Sequence, residues 1–215
     1  MQTKSRTLNS HKLYSTALKL FINNYFLAIV MVAGCFSIVS CEQVSTPKPR
    51  GYHRIDFPKK IYKRFDEGCK FSFDIPVYAN VSNDKNSDAQ PCWINVNYPQ
   101  FNGKLHISYH NINGDKRKLV KLTEESRGLV FKHTIKATAI DESIISDKAD
   151  NVYGTYYSID GNAASAIQFY LTDSTQHFLR AALYFSSEPK LDSIQPVLNY
   201  IKKDVDVMIK SFKWK

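Results

Sequence analysis

Residues 153–185, YGTYYSIDGNAASAIQFYLTDSTQHFLRAALYF, contain three short runs in which apolar residues occupy every second position. Successive side chains of a β-strand point to opposite faces of the sheet, so this period of two is typical of strands with one buried face. Turn-forming residues separate the runs, at Asp160-Gly161-Asn162 and again at residues 172–174. The stretch therefore predicts an antiparallel meander of three strands.

The same alternation occurs in three runs nearer the amino terminus, each with polar residues between the apolar ones. Together they predict six half-buried strands. Their shared-parity positions are Phe71, Phe73, Ile75 and Val77; Cys92, Ile94, Val96 and Tyr98; Leu105, Ile107 and Tyr109; Tyr153, Thr155, Tyr157 and Ile159; Ile167, Phe169 and Leu171; and Leu179, Ala181, Leu183 and Phe185.

Two other segments repeat their apolar residues every three or four positions, which is the period of a helix. The first covers about residues 115–138, where Gly128 weakens the pattern. The second, residues 191–212, is clearer, since Asp192 can cap its start with Gln195 and Pro196 in the first turn. The apolar positions are Leu119, Leu122, Leu129 and Val130 in the first, and Leu191, Ile194, Val197, Leu198, Ile201, Val205, Met208, Ile209 and Phe212 in the second.

The order of strands, helix, strands, helix predicts an α+β fold in which two helices cover one face of an antiparallel sheet. A layout like that of the PsbP and Mog1 proteins fits this topology. We expect a single globular domain over residues 61–215. Residues 41–60 are expected to form a tether leading into it, because Pro47, Pro49 and Pro58 discourage a helix there.

Residues 1–40 predict a signal peptide. They contain four basic residues and no acidic residue, and end in an apolar run from Tyr25 to Ser40. This run of sixteen residues is shorter than the about 20 apolar residues that a membrane-spanning helix needs, although an uncleaved anchor remains the alternative. The basic region is long for a signal peptide, which brings the assigned start codon into question.

The tetrapeptide Ile38-Val39-Ser40-Cys41 resembles a bacterial lipobox, whose cysteine is acylated on sulfur and becomes the new amino terminus. Residues 32–35, ending in Cys35, fit the same pattern. Cleavage there would leave the apolar FSIVS at the new terminus, whereas cleavage before Cys41 leaves the polar EQVSTPKPR. We therefore predict lipidation, including palmitate, at Cys41.

The formal charge of +9 depends partly on the signal peptide. From Cys41 onward, 25 Lys and Arg face 20 Asp and Glu, and the charge is +5. Residues 47–64 are the most basic stretch, and an anionic membrane surface is the expected partner of such a segment beside a lipid anchor. A solvated linker is the alternative, and no nucleic acid partner is expected for an exported protein. The charged residues of this stretch are Lys48, Arg50, Arg54, Lys59, Lys60, Lys63 and Arg64, with Asp56.

Cys69 and Cys92 are the two cysteines that remain in the exported chain. Thiols left over in an oxidising compartment usually pair, so we predict a disulfide between them across the polar loop 81–90. A metal site is disfavoured, since neither cysteine has the CxxC spacing of a zinc ligand pair.

The sequence presents no catalytic motif that we recognise. His106 and His110 would lie about 13 Å apart on a strand, too far to share a metal ion, and we expect both to be exposed. His133 is expected to be a packed histidine of the first helix. In residues 172–177, TDSTQH, the Asp, Ser and His are close in sequence, but no GxSxG elbow presents the serine. We therefore expect no enzyme activity, cofactor or metal.

Several motifs together resemble the GldD family, the gliding-motility lipoproteins of the phylum Bacteroidota. They occur in the family's order and cover essentially all of residues 41–215, and Cys41 occupies the family's lipobox position. The motifs are PKPRGYHRIDFP (47–58), CW (92–93), KHTIKA (132–137), VYG (152–154), GNAASAIQFYLTDSTQHFLRAALYF (161–185) and FKWK (212–215).

The resemblance implies a membrane-anchored envelope lipoprotein facing the periplasm, required for gliding and for the linked type IX secretion system. It implies no enzyme activity. We expect docking on other gliding or secretion proteins, without a small-molecule substrate; the candidate partner surface is Arg50, Tyr52, Arg54, Gly161 and Asn162. The alternative is a hydrolase-like enzyme of envelope maintenance, which a buried pocket holding His133 or His177 would favour. An exposed apolar patch would favour docking.

Overall fold

A computed structural model describes residues 54–186 and 191–215, together with Tyr25. The predicted signal peptide, both candidate lipidation sites and the predicted surface residues Arg50 and Tyr52 lie outside the described residues. So does the side chain of the predicted helix cap, Asp192.

The predicted meander forms the centre of a seven-stranded antiparallel sheet. Strands β7, β8 and β9 pair in sequence order, β9 continues through β5 and β4 to the edge strand β3, and β6 forms the other edge beside β7. A second, three-stranded sheet has the order β1-β2-β10. The strands are β1 (Tyr62–Phe65), β2 (Phe71–Pro76), β3 (Asn80–Asn83), β4 (Ile94–Tyr98), β5 (Gly103–Asn111), β6 (Ala137–Asp147), β7 (Val152–Gly161), β8 (Ser165–Thr172), β9 (His177–Phe185) and β10 (Lys213–Trp214).

One face of the large sheet is closed by the small sheet and the second helix. In the ladder, Leu105 pairs with Leu183, which pairs with Ile167 on its other side, and all three side chains are fully buried. The main core lies between this face and the residues that β2 and the carboxyl-terminal segment supply. These include Phe71, Phe73, Ile75, Leu198, Ile201, Val205, Met208 and Phe212.

Two helices are present, α1 (Lys116–Phe131) and α2 (Leu191–Lys210). The carboxylate of Asp115 caps α1 by accepting hydrogen bonds from the backbone N–H groups of Arg117 and Lys118. Pro196 is the sixth residue of α2, beyond the four N–H groups that have no partner within a helix, so it removes one backbone hydrogen bond from the second turn. A short 3-10 turn, Lys132–Ile135, follows α1 directly.

The helices lie against opposite faces of the large sheet. Val130 of α1 packs with Tyr157 and Ile159 of β7, whereas the intervening strand residue Ser158 receives a hydrogen bond from Lys202 of α2. Because adjacent strand residues face opposite sides, each helix has its own face. The predicted α+β class, with antiparallel strands and two helices, is confirmed. The expectation that both helices cover the same face differs from the structure. Helix α1 covers one face of the large sheet, and α2 covers the other face together with the small sheet.

All six predicted strands are present, and four further strands are added. The most extensive is β6, part of which falls within the predicted helix at 115–138. None of the eleven residues of β6 is buried, so it shows no alternation of apolar and polar residues that would predict a strand. Helix α1 ends at Phe131 instead.

The structure joins Cys69 and Cys92 in a disulfide, with their Cα atoms 5.6 Å apart. The bond links the loop before β2 to the residues before β4. It therefore ties the small sheet to the edge of the large one.

Replacing both cysteines with serine should lower the free energy of unfolding by about 3 kcal/mol, the loop-closure effect of a crosslink across 23 residues. Urea unfolding of the wild type and the variant measures the loss. The wild type treated with reductant is the matched control and should lose a similar amount. Reaction of Cys69 or Cys92 with a thiol reagent in folded, untreated protein would contradict the pairing.

Candidate functional site

Three histidines lie on strands, and His133 lies in the 3-10 turn after α1 rather than in the helix; all four are half-buried. His106 and His110 are half-buried rather than exposed, because their rings contact those of Tyr184 and Trp93. Burial lowers the pKa of both imidazoles, and it also lowers the pKa of His133 and His177. All four are therefore held mainly as neutral rings at neutral pH.

In the Asp-Ser-Thr turn between β8 and β9, the carboxylate is hydrogen-bonded to the backbone of the turn itself. Asp173 accepts hydrogen bonds from the backbone N–H groups of Thr175, Gln176 and His177, which lie 2.8 to 3.0 Å away. The Nδ1 of His177 bonds to the Tyr109 hydroxyl at 2.7 Å, and its ring stacks on Trp214. The side chains that a serine hydrolase would align thus have structural partners.

The part of the chain that the structure describes bears on two other classes of site, metal centres and membrane spans. No three His, Cys, Asp or Glu side chains there come together as a metal site requires. None of the described helices is long and apolar enough to cross a membrane.

The carboxylate of Asp204 is the one charged group buried deeply among the described residues. Asp204 lies on the buried side of α2 between Ile201 and Val205, and its side chain is fully inaccessible. Burial of an unpaired carboxylate would be strongly destabilising. Its position therefore depends on donors supplied from elsewhere in the chain.

Three donors meet this carboxylate. Lys60 donates from Nζ to Oδ1 at 2.6 Å, Tyr62 donates to the same oxygen at 2.9 Å, and Tyr78 donates to Oδ2 at 2.5 Å. Burial, followed by the hydrogen bond to Asp204, raises the pKa of both tyrosines well above the ordinary value, so that both remain donors. We call Lys60, Tyr62, Tyr78 and Asp204 the Asp204 cluster.

Aromatic side chains extend the Asp204 cluster toward the tether. The Lys60 ammonium lies 3.3 Å from the centre of the Tyr200 ring and also donates to the Tyr200 carbonyl at 2.8 Å. The Tyr200 hydroxyl donates to the carbonyl of Pro58, and Phe57 stacks on the Tyr200 ring with centroids 4.4 Å apart. Residues 57–62 are thereby fixed on α2, so the last residues of the predicted tether pack on the domain.

In the described part of the basic stretch at 47–64, some of the cationic side chains already have partners within the chain. Lys60 belongs to the Asp204 cluster, and Arg64 bonds to Asp74 as well as to the Ser72 hydroxyl and the Ser211 carbonyl. Arg54 bonds to Asp56 in an exposed pair. These cations therefore have partners inside the domain, which weakens the expectation that this stretch is a membrane-facing patch.

Of the predicted partner surface, the structure describes Arg54, Gly161 and Asn162. Gly161 has a φ of +99°, and a Cβ there would lie 2.7 Å from the Lys136 carbonyl and from the Thr138 amide nitrogen. The glycine is thus required by the close approach of the β7–β8 turn to the start of β6. Arg54 and Gly161 belong to different segments, and the hydrogen bonds of the structure do not join them.

Strand β6 is the longer of the two edge strands of the large sheet, with eleven residues against four in β3. It pairs only with β7 and has neither proline nor lysine, two residues that commonly protect a sheet edge from pairing. Its register shift is confined to Ala137–Ala139, so the rest of the strand is regular. The Ile144 side chain is 88% exposed.

An open groove of about 400 Å³ lies beside this edge, between α1 and β7. Its lining is mainly apolar and includes Leu119, Ile144, Ile145, Tyr153 and Tyr170. Sequence patterns missed this surface because neither face of β6 is buried. The only signal was the pair Ile144-Ile145 in an otherwise polar stretch.

Replacing Asp204 with Asn should lower the free energy of unfolding by about 3 to 5 kcal/mol, since it breaks a buried ion pair and leaves the Lys60 charge without its counter-charge. Denaturant unfolding measures the change. Asp56→Asn is the matched control, since it removes a carboxylate from the exposed pair with Arg54 and should cost about 0 to 1 kcal/mol. A loss below about 1 kcal/mol for Asp204→Asn would refute the assigned role.

Stability should fall on acidification from about pH 7.5 to about pH 5.5, near the ordinary histidine pKa. The folded-state pKa values of the four histidines are lowered, so the unfolded chain binds more protons in this range. Their contribution is complete above about pH 6.5 and is lost as the pH falls through the folded-state values. His177→Gln should reduce this slope in urea unfolding at both pH values, and an unchanged slope would contradict the assignment.

Comparison with known proteins agrees with the motifs in the sequence. The family described as "Gliding motility lipoprotein GldD" matches residues 42–214. A solution structure of cyanobacterial PsbP from Synechocystis sp. PCC 6803 is similar in fold at 11% identity, with a TM-score of 0.47, covering 76% of this chain and 98% of that one. No curated protein sequence matches closely enough to mark a relative. The match over residues 42–214 confirms the resemblance: this chain belongs to the GldD family of gliding motility lipoproteins.

Proposed function

We propose that this lipoprotein acts as a non-catalytic docking and stabilising component of the gliding apparatus and of the linked type IX secretion system. It would be anchored through lipidated Cys41 in the cell envelope and face the periplasm. Its partners would be other gliding or secretion proteins, without nucleic acid, cofactor or small-molecule substrate. Membership of a gliding motility lipoprotein family supports the general role.

The observation that carries the docking function is the open edge of β6. An exposed edge strand offers a row of unpaired N–H and C=O groups, and a partner's extended segment can add to it as a further strand. The groove beside Ile144 could receive alternate side chains of that segment. Backbone pairing would supply affinity, and the groove would supply specificity.

Lipid anchoring is consistent with docking. Confinement to a membrane raises the effective concentration of the domain near other membrane components, so a modest interface suffices. The Asp204 cluster adds to this effect because it fixes the point at which the tether joins the domain.

The alternative of a hydrolase-like envelope enzyme has less support. Such an enzyme would need a convergent site around His133 or His177. The imidazole of His177 is engaged with Tyr109 and Trp214, and the groove beside β6 is lined by neither histidine. The family, moreover, is not a known enzyme family.

Deletion of the gene in its own bacterium should abolish both surface spreading and export of type IX cargo. Wild type should restore both, whereas Cys41→Ala should restore neither, because the domain is no longer concentrated at the membrane. Ile144→Lys should also fail, since a charge at the exposed edge opposes strand addition. Val77→Lys is the matched control, as Val77 is 48% exposed but follows β2 of the small sheet.

Immunoblots should show all variants except Cys41→Ala at wild-type abundance, which separates docking from folding. Normal spreading and export in the deletion strain would overturn the proposed function. Full restoration by Ile144→Lys in a strain whose deletion has the phenotype would overturn only the role of β6.

A further inference from the structure

A second basic stretch, besides residues 47–64, covers α1 and the turn after it. Residues 116–136 contain seven Lys and Arg against two Glu, an excess of five. The chain from Cys41 onward has a formal charge of +5, so the net charge of residues 116–136 alone equals that of the whole chain from Cys41. The cations are Lys116, Arg117, Lys118, Lys121, Arg127, Lys132 and Lys136, and the acids are Glu124 and Glu125.

Large apolar side chains are exposed on the same segment. Helix α1 buries Ser126 and Val130 against the sheet. On its outer side Val120 is 55% exposed and Phe131 is 37% exposed, and Ile135 of the following turn is 91% exposed. Spacings of three or four residues place Val120, Glu124, Arg127 and Phe131 along one line of the helix surface. The turn then presents Ile135 between Lys132 and Lys136.

Several cations of this segment remain unpaired in the described part of the chain. Lys121 approaches Glu125 at 3.8 Å, Arg127 bonds to Glu142 at 3.1 Å, and Lys118 donates to the carbonyl of Asn111. Within the described ranges no ion pair involves Lys116, Arg117, Lys132 or Lys136. These four exposed cations flank the outer apolar side chains at both ends of α1.

We propose that the outer side of α1 and its following turn form a second membrane contact that rests on an anionic lipid surface. We call this surface the α1 face: Lys116, Arg117, Val120, Lys121, Phe131, Lys132, Ile135 and Lys136. Basic residues attract anionic headgroups, while large apolar side chains enter the boundary between headgroups and acyl chains. Ile135 is the inserted side chain, and Lys132 and Lys136 bind the headgroups around it.

The charge pattern favours lipid over other anionic partners. A lipoprotein is held beside headgroups, so these are the anions it meets at the highest local concentration. An almost fully exposed isoleucine gains nothing from phosphates of nucleic acid, but it gains from transfer out of water. The inference rests on the lipid-anchored state in the proposed function and is independent of β6.

The tether is long enough for this contact. The Asp204 cluster and α1 belong to opposite faces of the large sheet, so the tether must reach around the domain. At about 3.3 Å per residue, residues 42–56 can span up to about 50 Å. This length exceeds the combined thickness of the two packed layers, each about 10 Å, that separate the Asp204 cluster from the α1 face.

The test uses the full-length lipoprotein reconstituted into vesicles, with an environment-sensitive dye on Ile135→Cys. One set of vesicles contains phosphatidylcholine alone and the other contains added phosphatidylglycerol. Val77→Cys carries the dye in the control, because its side chain is 48% exposed but follows β2 of the small sheet, on the other side of the large sheet from α1. Acylated Cys41 and the paired Cys69 and Cys92 leave the introduced thiol as the labelled position.

We expect the dye at position 135 to shift to the blue and to resist an aqueous quencher only on the anionic vesicles. High salt should reverse the shift, and Lys132→Gln with Lys136→Gln should weaken the contact by about fivefold per lost charge. The dye at position 77 should remain in water on both vesicles.

Three results would overturn the proposal: no shift on anionic vesicles, an equal shift on both kinds of vesicle, or an equal shift at position 77. If the dye at position 135 does not shift with lipid but shifts with added polyglutamate, the α1 face binds an acidic protein instead of a membrane. The vesicles contain no gliding or secretion protein, so each result stands whether or not the docking function is correct.

Discussion

The buried carboxylate of Asp204 is the interaction on which the geometry of the anchored domain depends. A carboxylate in a low-dielectric interior is tolerated only when donors surround it, and here they come from the end of the tether, from β1 and from the loop after β2. The pairing thus holds residues 60–62 against the last helix, α2. Strand β1 and the aromatic contacts of Tyr200 follow from that placement.

The two faces of the large sheet have different roles in consequence. One face is sealed by α2 and the small sheet, and it contains the main core. The other is covered only in part by α1, whose own core contact is the small cluster around Val130 and Tyr157. The exposed cations, the groove beside β6, His106, His110 and His133 belong to this less covered side or its edge, whereas His177 stacks on Trp214 of the small sheet. Surfaces available to partners are therefore concentrated away from the residues that hold the fold together.

Sequence patterns predicted the strands that have one buried face, because burial on one side imposes alternation on runs such as Ile167, Phe169 and Leu171. They could not predict β6, since an edge strand exposed on both faces imposes no such pattern. Asp204 could have been found: its helical neighbours Ile201, Val205 and Met208 are all apolar, which places an acid within the buried stripe. Its partner Lys60 could not, because it lies 144 residues away in a stretch that reads as a charged linker. The family motifs identified the lipoprotein but gave no information about which surface is exposed.

The small sheet has a consequence for how the protein reaches its folded state. Its central strand β2 lies near the start of the domain, but one of its neighbours is β10, formed by Lys213 and Trp214. Contacts between segments so distant in sequence give a high contact order, and folding that depends on them is slow. If the chain is exported as proposed, its amino-terminal part emerges first, and β2 cannot complete its sheet until residues 213–214 have crossed as well. The exposed apolar strands of the emerging chain are consequently open to aggregation until translocation is complete, and prompt chaperoning at the membrane becomes a requirement of the topology.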